Sequence, residues 1–216
     1  MKLSENISRL TWRLAIALWA VGTLGAWVWA TNYEFTSYSD NQFIVSENWP
    51  DSSNIRHAED RATLLCFIHP RCPCTRASVH EIGRVLTGTG LTEGQQPNVI
   101  VVASMPVGAS DDWKDTPTVR QASELPRAEL FWDENGVESK RFEMVTSGAV
   151  RLYDRDGQLL FSGGVTASRG HQGDNLGCDF LYQCLTDANR QPMMSTPVFG
   201  CRIHAETQPK VAGETR

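Results

Sequence analysis

The sequence carries no Gly-x-Ser-x-Gly, no phosphate-loop motif and no Gly-x-Gly-x-x-Gly. Acyl transfer through a nucleophile elbow and nucleotide binding on glycine turns therefore have no seed here. A basic stripe is missing as well. Acidic residues outnumber basic ones 25 to 20, the formal net charge is −5 and the basic residues are scattered, so there is no electrostatic footprint for a nucleic acid. No second Cys-x-x-Cys is present to build a structural zinc site. Internal repeats and long low-complexity tracts are absent. The carboxylate pairs Asp111-Asp112 and Asp133-Glu134 read as solvated turns, and Gly163-Gly164 simply follows a strand candidate. What is left to explain is one long apolar run and six cysteines.

Leu14 to Tyr33 is an uncharged run of 20 residues. As a helix it is about 30 Å long, the thickness of a bilayer core. Lys2, Arg9 and Arg13 precede it, and Glu34 and Asp40 follow. The positive flank should stay cytoplasmic, which exports residues 34–216 to the periplasm or cell exterior. Trp12, Trp27, Trp29 and Tyr33 stand where interfacial aromatics anchor a span. Val28-Trp29-Ala30 loosely fits a signal-peptide cleavage site, although two bulky tryptophans suit cleavage poorly. Anchor and cleaved signal both deliver the remainder to an oxidising compartment, where disulfides persist.

The expected organisation is a cytoplasmic stub and single-pass anchor over 1–33, a Ser-, Asn- and Asp-rich linker over 34–60, one compact domain over 61–187, and an extension over 188–216. Phe43-Ile44-Val45 is a candidate for one added strand. Pro197-Val198-Phe199-Gly200-Cys201 is a candidate for docking on the domain, and the last dozen or so residues read as disordered. Leu64 to Ile68 is a continuous apolar run, as in a strand covered on both faces. A helix from about Cys74 to Leu86 buries Val79, Ile82, Gly83 and Leu86. Val99 to Ala103 is a second buried-type strand, which makes a parallel βαβ pair. A helix through Val119 to Leu125, a short strand over Glu129 to Trp132 and a helical segment over Val137 to Met144 follow. Ala149–Tyr153 and Gln158–Ser162 form a hairpin around Asp156-Gly157. A last helix from near Asp174 buries Leu176, Phe180, Leu181, Cys184 and Leu185.

Cys72-Pro73-Cys74 stands where the first strand hands over to the first helix of the domain. Unpaired N–H groups and the helix dipole favour a thiolate there, with Arg71 and Arg76 adding positive charge. Pro73 suits a first turn. The Cα atoms of a Cys-x-Cys are at most about 7 Å apart, so a bond between its sulfurs needs a compressed turn and should be strained and oxidising. Cys72, in the loop, is expected to be the exposed attacking sulfur and Cys74 the less accessible resolving one. Cys66 and Cys184 read as core packing. Cys178 and Cys201 are freer, able to bridge the extension to the domain or to resolve a mixed disulfide from Cys72. Pairing of Cys72 and Cys74 elsewhere as structural staples stays open. So does copper: His69, Cys72 and Cys74 lie within six residues, His171 lies in a glycine-rich loop, and thiolates with imidazole suit Cu(I).

Phe67-Ile68-His69-Pro70-Arg71-Cys72-Pro73-Cys74 resembles the active-site stretch of the thioredoxin-like superfamily with its usual Cys-x-x-Cys shortened by one residue, and the order of elements is similar to the membrane-tethered branch. More narrowly, His69 to Ser78, Ser147-Gly148, Gly163-Gly164-Val165-Thr166, Arg169-Gly170-His171, Gly173-Asp174-Asn175 and Thr196 to Cys201 resemble the bacterial RedB group, over about residues 61–201. The resemblance implies an α/β fold: a thioredoxin-like mixed sheet flanked by helices, behind an N-terminal transmembrane helix. It further implies a membrane-tethered thiol–disulfide oxidoreductase with Cys72, Cys74 and Arg71 catalytic and no cofactor. Its partners would be a cysteine-containing exported protein and a membrane electron donor. The alternatives are a copper-binding protein using His69, Cys72, Cys74 and His171, and a non-catalytic docking module. Two features depart from the family pattern. The cis-proline that faces the dithiol, helping to hold a substrate chain as an added strand and keeping metal off the sulfurs, has no counterpart near Gly148. The cysteine spacing is one residue short.

Overall fold

The computed structural model describes residues 2–37, 46–187 and 192–203. The strand candidate at 43–45 and the end of the extension lie outside the described residues. The chain divides into two units, 1–36 and 37–216. The first is a single helix, α1 (Lys2–Phe35), whose stretch Arg9–Phe35 is long and apolar enough to cross a membrane. Its threonines look after their own hydroxyls: Thr23 donates to the Trp19 carbonyl and Thr31 to that of Trp27. Internal satisfaction of this kind is what a hydrocarbon environment demands of polar groups.

The second unit contains β1 (Thr63–Ile68), α2 (Thr75–Gly88), β2 (Asn98–Met105), α3 (Pro117–Ser123), β3 (Ala128–Glu134), α4 (Val137–Arg141), β4 (Ala149–Tyr153), β5 (Leu159–Gly164), α5 (Leu176–Thr186) and β6 (Met194–Ser195). The sheet order is β3-β2-β1-β4-β5-β6. β1 pairs parallel with β2 and antiparallel with β4, β2 parallel with β3, β4 antiparallel with β5, and β5 parallel with β6. β1 is central and buried throughout, as its unbroken apolar run requires.

Alternation along the strands divides the core in two. Leu64, Cys66 and Ile68 join Val79, Ile82 and Leu86 of α2, Val119 and Ala122 of α3, and Leu181 of α5. On the other face Leu65 and Phe67 meet Phe142, Tyr153, Ile55, Val198 and Ile203, with Trp49 against them. Helices cover the first face. The second is covered by α4, by residues 46–60 and by the tail, 192–203. Residues 46–60, which read as linker, are held in place: the Leu159 amide donates to the Glu47 carbonyl (2.7 Å), and the Ser53 hydroxyl to Glu138 (2.7 Å).

Three expectations change here. Leu176, expected in the core, is 67% exposed. It opens α5 directly after the Asn175 cap, and the buried stripe is Gly177, Cys178 and Leu181. Gly177 fixes that stripe, because a Cβ on it would stand 2.0 Å from the Gly164 carbonyl oxygen. Asp133 is not a solvated turn residue. It is buried and caps α4, accepting from the amides of Glu138 (2.8 Å) and Ser139 (2.9 Å) and from the Ser139 hydroxyl (2.6 Å). Gly163 and Gly164 do more than follow a strand: a Cβ on either would strike Thr196 or Pro197, so they are where the tail lies against β5.

Candidate functional site

β1 delivers the chain to His69, and a turn closes there, with the Cys72 amide donating to the His69 carbonyl (2.9 Å). Cys74 then caps α2 with helical backbone angles. The accessibility of the two cysteines is the reverse of the sequence expectation. Cys72 is 2% exposed and Cys74 half-buried. The turn aims Cys72 inward, toward Thr75, and the tail closes over it.

The tail brings a third sulfur. The Ser147 amide donates to the Cys201 carbonyl (2.8 Å) and the Ile203 amide to the Val145 carbonyl (2.8 Å), with Thr146 bridged to Arg202. Gly200 makes this approach possible, since a Cβ there would lie 2.0 Å from the Ser147 carbonyl oxygen. The sulfurs of Cys72, Cys74 and Cys201 lie within 4.8 Å of one another, and none of the six cysteines is joined in a disulfide. His69 and His171, the imidazoles of the copper alternative, are not in this group among the described residues. His69 stands edge-on to Trp113 with its Nδ1 accepting from the Arg71 amide (3.3 Å), and His171 is exposed in its loop. Burial, the largest influence, holds the His69 imidazole below its ordinary value.

Electrostatics make the three sulfurs unequal. The Cys201 thiol, donating to Cys72, pulls the Cys72 thiol far below its ordinary value. Burial opposes this, but the Thr75 hydroxyl and the amides of Thr75 and Cys201 also donate to the Cys72 sulfur. Cys201 moves the opposite way, up, because its proton is committed to that same bond. Burial and the Cys72 charge raise Cys74, with Arg169 pulling it down. The cluster is therefore one thiolate served by two thiols. Behind it runs a row of aligned donors. The His69 amide donates to Ser147 Oγ (2.7 Å), and Ser147 Oγ stands 2.5 Å from Thr75 Oγ1.

Arg71 does not face the sulfurs. Its guanidinium carbon stacks 4.3 Å over the Trp113 ring, and the Arg76 guanidinium is turned toward Gln121. The cation near the cluster is the buried Arg169, which acts on Cys74 and Cys201. Cys178 is not free to bridge anything. It is buried, its thiol donates to Glu81 (3.5 Å) and its amide to the Asn175 cap (3.0 Å), and burial pushes it up to about 11. Burial likewise pushes Cys184 to about 11 and Cys66 to about 12. Thr75, Ser147, Arg169 and Trp113 were not singled out as site residues by sequence reasoning. Thr75 follows Cys74 directly and could have been weighed as a donor, whereas only the fold brings Ser147 and Arg169 to the cluster. Where the family pattern has a cis-proline this chain has Ser147-Gly148, Gly148 at φ +91° with space for no Cβ against Ser78.

No family model matches the sequence and no curated protein matches it. Solved structures do match. An uncharacterized conserved protein from Geobacillus kaustophilus is 20% identical with a TM-score of 0.53, over 69% of this chain and 80% of that one. A hypothetical protein from Sinorhizobium meliloti 1021 is 21% identical with a TM-score of 0.49, over 67% and 80%. A secreted Mycobacterium tuberculosis disulfide oxidoreductase homologous to E. coli DsbE is 16% identical with a TM-score of 0.39, over 58% and 81%. At such identities the likeness is one of fold. The unit over 37–216 has a thioredoxin-like fold, a mixed sheet flanked by helices, and the chain also carries one N-terminal helix apolar enough to span a membrane.

Proposed function

We propose that this chain is a membrane-tethered thiol–disulfide oxidoreductase. The observation that carries the reading is the cluster of three cysteine sulfurs, Cys72, Cys74 and Cys201, within 4.8 Å of one another, in which hydrogen bonds to Cys72 favour its thiolate while Cys74 and Cys201 are pushed up. A thiolate is the attacking species in disulfide exchange, and a neighbouring thiol is what clears the mixed disulfide. Cys72 attacks one sulfur of a substrate disulfide. The substrate S–S bond breaks, and the leaving thiolate takes a proton. A second sulfur of the cluster then attacks Cys72, releasing the other half of the substrate. Arg71, whose guanidinium lies over the Trp113 ring, is a contact for the substrate chain rather than a charge on the sulfur. Its partner is a cysteine-containing exported protein, with α1 as single-pass anchor, the domain on the extracytoplasmic side and a membrane dithiol as electron donor.

The test is exchange with a disulfide reporter. Cys72→Ser should lower the rate at least about 100-fold, the thiolate being the only reactive form; a rate left at the wild-type value removes the proposal.

A specific observation keeps a second reading. Three sulfurs converging without a carboxylate form a soft donor set, which suits Cu(I) better than a hard cation. Cys72, Cys74 and Cys201 would hold the ion, and Cys74 and Cys201 would each have to lose a proton. Anaerobically purified protein carrying less than about a tenth of an equivalent of copper would exclude this reading.

A further inference from the structure

We propose that Cys201, rather than Cys74, resolves the mixed disulfide formed on Cys72, and that the tail over 192–203 is the element that carries this sulfur in and must lift to admit a substrate. The inference rests on the redox reading above and goes beyond it in assigning the second sulfur and the moving part.

Geometry distinguishes the two neighbouring thiols. Cys72 and Cys74 lie two residues apart in the turn that enters α2, and their sulfurs, although within 4.8 Å, are joined by only a short stretch of backbone. A bond between them needs a compressed turn. Cys201 comes from a separate segment, held beside 145–147 by the Ser147–Cys201 and Ile203–Val145 backbone hydrogen bonds. Its approach to Cys72 is not limited by local chain geometry. Its sulfur already lies within 4.8 Å of the sulfur it would attack.

The same segment blocks the entrance. With the tail in place Cys72 is buried, and the Ser147 amide, the backbone donor next to the cluster, is used by Cys201. An extended substrate chain would pair with that donor by adding a strand. The tail sits there as a built-in strand of the same kind. Its docking is specified by Gly163, Gly164 and Gly200, none with room for a Cβ. Yet it adds only two residues, Met194–Ser195, to the sheet. Opening it therefore breaks little of the sheet, and its cost lies in the buried side chains of Val198 and Ile203.

The sequence of steps balances. The tail lifts, and the Cys72 thiolate forms a disulfide with one substrate sulfur as the substrate S–S bond breaks. The departing substrate thiolate takes the Cys201 proton. The tail returns, the Cys201 thiolate attacks Cys72 Sγ, and a Cys72–Cys201 disulfide forms as the second substrate thiolate leaves and takes a proton from water. The substrate has gained two electrons and the protein has lost them. A dithiol donor restores both thiols by the same exchange.

Full-length protein in detergent is reacted with oxidised glutathione, quenched with an alkylating agent and mapped by tryptic peptide mass. Trypsin separates the peptide holding Cys72 and Cys74 from that holding Cys201. The expected product is a cross-link between the two peptides that persists in Cys74→Ser. The glutathione adduct on Cys72 should accumulate in Cys201→Ser at least roughly tenfold above its level in Cys74→Ser. A bond confined to the first peptide, or an adduct that accumulates in Cys74→Ser instead, overturns the assignment of Cys201 while leaving the redox reading intact. No adduct on Cys72 in any variant overturns both. Gly200→Ala tests the moving part: it should displace the tail and speed maleimide labelling of Cys72 several-fold, and an unchanged or slower rate overturns the claim that the tail covers the site.

Discussion

Cys72 and Cys178 are equally hidden, 2% and 4% exposed, and their thiols are driven in opposite directions. Each stands next to an element that supplies its hydrogen bonds. Around Cys72 the partners are donors: the Cys201 thiol, the Thr75 hydroxyl and two amides. At Cys178 burial is the largest influence and raises the thiol; one donor, Asn175 Nδ2 (3.2 Å), opposes it, and the Glu81 carboxylate accepts the thiol proton and repels a thiolate. Burial on its own raises a thiol, as Cys66 shows. The contrast teaches that depth raises every buried thiol here and that only a sufficient local set of donors, as around Cys72, reverses it. Glu81 in turn stays ionised against burial, because the Gly173 amide and Arg84 outweigh it. The network around Cys178 is thus a brace that ties the 173–175 loop to α2.

The largest expected effect is in how the two sulfurs respond to pH. Cys178, at about 11, holds on the order of 10⁻⁴ of its population as thiolate at pH 7, rising tenfold per pH unit. Cys72 is already ionised, so its alkylation by iodoacetamide should be nearly flat from pH 6 to 9 while that of Cys178 climbs steeply; parallel profiles would break the contrast. Stability follows the same signs. The depressed Cys72 value contributes stability that is full above its unfolded value of about 8.5 and is lost as pH falls through the folded one. The raised values of Cys178 and Cys184 contribute stability that is full below about 8.5 and is lost as pH rises through about 11. Urea midpoints between about pH 8.5 and 11 should therefore fall less in Cys178→Ser than in wild type, measured relative to each protein's pH 7 value.

A middle-sized effect would sharpen the account by removing one donor. Thr75 is fully buried, and Thr75→Val keeps its shape while deleting the hydroxyl. A hydrogen bond to a charged group is worth about 1.5–3 kcal/mol, so the Cys72 pKa should rise by about one to two pH units, read from thiolate absorbance near 240 nm in the Cys72-only background. A rise no larger than that in Ser123→Ala, whose hydroxyl bonds only the Val119 carbonyl of its own helix, would mean that Thr75 does not hold the charge.

The sequence displayed the scaffold better than the site. The run Leu64 to Ile68 and the spacing of Val79, Ile82 and Leu86 report burial through composition and periodicity, so β1, α2 and the hairpin were legible. Leu176 was misplaced because apolarity says nothing about which face a helix presents when a glycine, Gly177, allows backbone-to-backbone approach. The dithiol was visible as a motif, but its accessibility was not. That depends on Cys201, brought 129 positions back along the chain by contacts of Gly163, Gly164 and Gly200 that only the folded chain reveals. Glycines packed against carbonyls leave no periodic signal.

The smallest expected effect concerns Arg71, the one cation that the sequence places beside the reactive cysteine. Adjacent numbers do not mean adjacent charges. The guanidinium lies over Trp113, 4.3 Å from the ring centre, a contact worth about 0.5–1 kcal/mol at an exposed site. Solvent at that surface also screens its field. Arg71→Ala should leave the Cys72 pKa within about 0.3 of wild type, well below the change in Thr75→Val. It should instead loosen the Trp113 ring, seen as a shift in tryptophan emission. A Cys72 pKa that rises in Arg71→Ala as far as in Thr75→Val would return the control of the thiolate to long-range charge and dissolve the difference between the two buried cysteines as a matter of local donors.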